Sequence, residues 1–222
     1  MYFQFLIEDE STKILIDHVM NKIREKYPDN IIAYDSKFFK GIGGLRKNGK
    51  ALEQKTGKLL NDLPLYLRAF NHTLPYIKDA ALFIVLDNDK REPKQFRLEL
   101  ENIAISNMIL LDYVFCIAVK EMEAWLLGDV EAIKTAYPNT KISAWHGYEQ
   151  DEICDTWEVL ANAVYPGGLK KLKRLAGTGY HVIGKAKAEW ADRIGGALNL
   201  EQNISPSFQK FISELRARIE AA

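Results

Sequence analysis

Apolar residues in the first half of the chain come in short runs, each followed by polar residues and then by a helical repeat. Residues 2–7, 30–34, 80–86 and 112–119 are such runs. The last two are continuous, as expected of strands buried on both faces. Behind the first run, Ile14, Leu15, Val19, Met20 and Ile23 recur at helical spacing, with Ser11 or Thr12 placed to cap the helix. The turn signal Pro28-Asp29-Asn30 opens the second run. A loop rich in Gly and Lys spans 37–50, and a helical pattern then reaches about Lys78, interrupted at Pro64. Residues 92–110 read as one more helix. Past Val119 the strand signal stops, and 124–127, 130–136, 156–164, 169–175 and 185–198 are helical. The final helix is the clearest: Ser205 caps it, Pro206 opens it, and Phe208, Phe211, Ile212, Leu215 and Ile219 form one stripe.

Strands alternating with helices predict an α/β fold: a mostly parallel, Rossmann-like sheet flanked by helices. The expected organisation is a core over 1–128 and a mainly helical C-terminal extension over 129–222 packed on it. In such a sheet the carboxyl ends of the strands share one edge, where sites form.

Composition narrows the class. At 222 residues, 47% hydrophobic and 27% charged, the chain can bury a real core, which excludes disordered and fibrous proteins. Its apolar runs are too short to span a bilayer and no signal peptide is evident, so a cytoplasmic protein without membrane attachment is expected. Cys116 and Cys154 stand far apart, which suits a reducing compartment. The 30 basic and 30 acidic residues balance to zero, which by itself argues against a nucleic-acid partner. Where those charges fall weakens that argument.

Glu8 follows the first predicted strand, Asp87 and Asp89 end the third, and Glu121 and Glu123 follow the fourth. Parallel strands bring all five acids to one edge, where they would repel and raise one another's pKa. A hard divalent cation such as Mg²⁺ relieves that conflict. Asp87 and Asp89, two apart on a strand end, would face the same way. Acids also favour helix starts for dipole reasons, which accounts for any one of them but poorly for three placed directly after apolar strands. Glu121 and Glu123 face different ways on a helix, so one of them is expected to reach the site, with Glu123 preferred.

The stretches Phe5-Leu-Ile-Glu8-Asp-Glu-Ser-Thr12, Leu82-Phe-Ile-Val-Leu-Asp87-Asn-Asp89 and Lys120-Glu-Met-Glu-Ala-Trp-Leu-Leu-Gly-Asp129 resemble the Toprim superfamily. They are most similar to its small stand-alone members related to the overcoming-lysogenization-defect nucleases. Glu8, Asp87 and Asp89 match the superfamily's glutamate and Asp-x-Asp, while Asp9 stands where glycine is usual. The resemblance implies a Toprim-like fold and Mg²⁺- or Mn²⁺-dependent hydrolysis of DNA or RNA, with two ions held by Glu8, Asp87, Asp89 and Glu121 or Glu123. Two such ions about 3.5–4 Å apart can activate water and stabilise the leaving oxygen. Glu8 or Glu123 could instead take the water's proton. Action with a separate ATPase in phage defence is a further implication.

Basic residues form two blocks. Between Lys37 and Lys58 there are seven and one acid, and between Gly167 and Lys187 six and no acid. Arg46, Lys47 and Lys50 in the first, and Lys185 and Lys187 in the second, are the candidate nucleic-acid contacts. No Gly-x-x-x-x-Gly-Lys-Ser/Thr phosphate loop occurs, so ATP hydrolysis by this chain is not expected. Two other readings stand beside the nuclease. One is a non-catalytic Toprim-like module that binds metal or phosphate as a partner subunit. The other is a receiver-type phosphoacceptor, disfavoured by the 78-residue gap between Asp9 and Asp87. Self-association stays open.

Overall fold

A computed structural model describes residues 1–44 and 57–222. Arg46, Lys47 and Lys50 lie outside the described residues. The strands are β1 (Tyr2–Ile7), β2 (Ala33–Phe38), β3 (Ala80–Asp87) and β4 (Tyr113–Ala118). Between and after them come α1 (Glu10–Lys26), α2 (Leu59–Thr73), α3 (Pro93–Ser106), α4 (Glu123–Leu127), α5 (Val130–Ala136), α6 (Thr156–Val164), α7 (Gly168–Ala176), α8 (His181–Ala197) and α9 (Pro206–Ala221). The sheet is all parallel in the order β2-β1-β3-β4, so the expected α/β architecture with a helical C-terminal region is present.

The boundaries shift for identifiable reasons. Asp9, not Ser11 or Thr12, caps α1: its backbone is extended and its carboxylate accepts from Thr12 N at 2.8 Å and Ser11 Oγ at 3.0 Å. β2 begins at Ala33, not at residue 30, because pairing with β1 starts at Tyr2 opposite Ala33. Ile31 is left 89% exposed while Ile32 turns into the core. Pro64 lies inside α2 without ending it, since Leu59, Leu60, Leu63 and Leu67 anchor that helix in a buried layer. That burial outweighs one lost backbone bond. α8 starts at His181, four residues ahead of Lys185.

Two apolar layers sandwich the sheet. On one face Leu6, Leu82, Ile84, Leu86, Phe115 and Ile117 meet α2 and α3. On the other, Phe3, Phe5, Phe83 and Val85 meet α1 and the helices after residue 122 in one continuous cluster. Phe211 of α9 joins the halves: its ring stacks on Trp125 at 5.2 Å and meets Phe83 edge-on at 6.1 Å. The helical extension is therefore packed on the core by a shared layer.

Candidate metal centre at the carboxyl edge of the sheet

β1 leads outward to β2, whereas β3 leads to β4 on the opposite side, so the topological switch lies between β1 and β3. In open parallel sheets the crevice beyond the strand ends at this point is where ligands sit. Glu8 and Asp87 flank it. Parallel pairing of Ile7 with Val85 and of Asp87 with Ala118 sets their height, and Glu8 Oε2 accepts from Asp87 N at 3.0 Å. Gly41 N donates to the Glu8 carbonyl at 3.0 Å, which brings the start of the basic loop beside this glutamate. Gly43 is required nearby: its φ is +74°, and a Cβ would come within 2.6 Å of Lys58 Cβ.

Glu123 opens α4 just past β4 and is 1% exposed. Lys187 of α8 reaches in from the helical extension, its Nζ 3.2 Å from each carboxylate oxygen, with a hydrogen bond to Oε2. Oε1 has no hydrogen-bond partner among the described residues. Lys187 thus stands inside the acidic cluster, not on the outward basic face expected of a nucleic-acid contact, whereas Lys185 is exposed. The helical period carries the signal: Lys187 falls on the stripe of Ile183, Trp190, Ala191 and Ile194.

The remaining acids divide. Asp89 does not continue the strand alternation, because the strand ends at Asp87 and Asp89 takes a left-handed φ of +49°. Its carboxylate pairs with Arg91 at 3.1 Å. Glu121 Oε2 turns to the start of α6, accepting from Thr156 Oγ1 at 2.9 Å and Trp157 N at 3.2 Å. Asn88 is a structural residue the pattern of acids conceals. It is fully buried, its Oδ1 accepts from Lys120 N at 2.6 Å, and its Nδ2 donates to Arg91 O at 2.6 Å. The first bond ties the β3 end to the β4 end, and the second closes the turn after β3.

The electrostatics match the crowding. Burial raises the Glu8 pKa to about 8, with Asp9 and Asp89 adding to the rise and the Asp87 amide and Lys187 opposing it. Asp87 is held well above the usual carboxylate range by burial, then by Glu8 and Glu123. Burial lifts Glu123 to about 7 against the pull of Lys187. Burial would lower Lys187, but Glu123, Glu121, Asp87 and Asp9 outweigh it and keep the ammonium charged. One ammonium among the carboxylates of Glu8, Asp87 and Glu123 leaves two negative charges uncompensated when all three ionise. An all-oxygen donor set and excess negative charge suit a hard divalent cation. As the side chains stand, no three His, Cys, Asp or Glu groups among the described residues converge on one point.

Elsewhere, Cys116 is buried, and burial pushes its thiol up. On α7, Lys173 pairs with Glu158 at 2.6 Å and lies over the Trp157 ring. No helix among the described residues is long and apolar enough to cross a membrane. No protein-family model matches the chain, and no significant match to a curated protein or a solved structure was found.

Proposed function

We propose that this protein is a Toprim-type, divalent-metal-dependent nuclease that hydrolyses phosphodiester bonds in DNA or RNA. The observation that carries this reading is that Glu8 and Asp87 flank the switch point of a parallel sheet with Glu123 near enough to raise the Asp87 pKa, so that the three when ionised carry more negative charge than Lys187 can balance. Glu8, Asp87, Asp89 and Glu123 would hold Mg²⁺ or Mn²⁺, two ions in the scheme the Toprim resemblance implies. When bound, such ions polarise the phosphoryl group and lower the pKa of water. In the alternative arrangement, Glu8 or Glu123 would take the water's proton in place of holding a cation. The basic segment that starts beside Glu8 would hold the phosphate backbone. Two unpaired cysteines fit a cytoplasmic setting. A separate ATPase and a role in phage defence rest on the family resemblance alone.

A second reading has its own support. The Lys187–Glu123 ion pair already places a cation in the cluster, which suits a non-catalytic module that binds metal or phosphate as a partner subunit. One assay separates the two. Plasmid, single-stranded DNA and RNA are incubated with protein and Mg²⁺ or Mn²⁺, with and without EDTA, alongside Asp87→Asn and Glu8→Gln. The nuclease reading expects cleavage that EDTA and either substitution abolish. Metal binding without cleavage of any substrate supports the module instead.

A further inference from the structure

The outer edge of β4 is a feature the acidic site leaves unused. β4 ends the sheet, with β3 as its one neighbour among the described residues. Leu82 N bonds Asp112 O and Asn88 N bonds Ala118 O, so Val114 and Cys116 turn their peptide groups toward β3. Phe115 and Ile117 therefore present theirs outward. Two contacts agree with this phase: Arg97 donates to Phe115 O at 2.9 Å, and Val119 N donates to Ser207 Oγ at 3.3 Å. The Phe115 N–H and both peptide groups of Ile117 have no partner among the described residues.

This edge is recessed. α3 overhangs it from one face of the sheet and α9 from the other, and the trough between them has a volume of about 580 Å³. Its walls carry an excess of positive charge. Lys94, Lys120 and Lys210 make no ion pair among the described residues. Of the facing acids, Glu214 is paired with Arg218 at 2.7 Å, while Asp151 accepts from Ser205 Oγ and Ser207 N and keeps its charge. Lys94, Arg97, Lys120 and Lys210 therefore outnumber the two unpaired acids, Asp151 and Glu152.

We propose that this trough binds an extended acidic segment of a partner protein, which adds to β4 as a fifth strand. Main-chain bonds to Ile117 and to the Phe115 N–H would supply register-setting affinity, and alternate side chains would reach the walls. Carboxylates on the segment would meet Lys94 and Lys210. A second copy cannot pair β4 to β4, because its own β4 is recessed between the same two helices and cannot reach the floor. The inference does not depend on the nuclease reading.

The test is backbone-amide NMR of the full chain with defined probes. They are an acetylated octapeptide of alternating Glu-Glu and Val-Val pairs, which puts carboxylates on both faces of an added strand, its Lys-for-Glu counterpart, and an acidic version with Pro replacing the first Val pair. The acidic peptide should bind saturably, shift the Phe115 and Ile117 amides, and slow their hydrogen exchange. Lys94→Glu combined with Lys210→Glu, both on exposed positions, should weaken it about tenfold or more. The basic and Pro-containing peptides should fail, the latter because Pro cannot donate. Absence of binding, equal binding of the Pro version, or shifts confined to other regions would overturn the proposal. So would shifts of the same amides by an octathymidylate or by raising protein concentration, which would reassign the trough to nucleic acid or to self-association.

Discussion

At the residue scale the ion pair of Lys187 with Glu123 is the interaction with most at stake. Glu123 is 1% exposed, so removing its partner leaves a buried charge without compensation. Lys187→Met should destabilise the metal-free protein at pH 8 in urea unfolding by up to about 3–5 kcal/mol, and by less to the extent that Glu123, freed of the pull of Lys187, takes up a proton. The loss should shrink at pH 6, where Glu123 is mainly protonated. Equal losses at both pH values would mean that packing, not charge, sets the cost. The raised acids make a related prediction for the wild type. Glu8 moves from the ordinary 4.5 to about 8 and Glu123 from 4.5 to about 7, so the folded chain binds the extra protons between those limits. Stability without metal should be highest at the acid end of that window. It should fall as pH rises from about 4.5 to 8, each group adding up to about 1.4 kcal/mol per pH unit. A saturating divalent cation should flatten the fall. The position of Glu8 and Asp87 after apolar runs was legible in the sequence. The inward turn of Lys187 was legible only as a charge on an apolar stripe, a pattern overshadowed by the basic residues around it. The engagement of Glu121 with α6 had no local signal, because Thr156 lies 35 residues away.

At the element scale the strand ends are held by Asn88. Asn88→Ala removes two short bonds from the partly buried Lys120 N–H and Arg91 carbonyl, at up to about 1–3 kcal/mol each where water does not replace them. The variant should melt lower and bind divalent metal more weakly, because Asp87 and Asp89 flank the lost brace. A variant with normal stability but weakened metal binding would instead indicate a direct role in the site. Strong periodicity made most elements readable, the two buried strands and α9 above all. The differences arise where tertiary packing overrides local preference: Leu63 and Leu67 hold α2 through Pro64, and pairing with β1 moves β2 three residues along. Asp9 illustrates a different competition. Three neighbouring residues could cap α1, and the one with extended backbone does.

At the scale of the molecule, the helical extension and the sheet share one apolar layer. A chain ending at residue 128 would expose Phe83 and Trp125, against which Phe208 and Phe211 otherwise pack. It should lack a cooperative unfolding transition by circular dichroism, and a sharp transition would mark the sheet as an independent domain. The zero net charge likewise hides an arrangement. Carboxylates gather at one sheet edge, Lys187 enters from the extension, and uncompensated lysines line the trough beside β4. Calorimetric titration of Mn²⁺ into the wild type, Glu8→Gln and Asp87→Asn at pH 7.5 tests the central claim most directly. Saturable binding to the wild type that is lost, or weakened at least about tenfold, in both folded variants is the predicted result. No binding to the wild type, or the same affinity in all three, would contradict a metal centre at these strand ends.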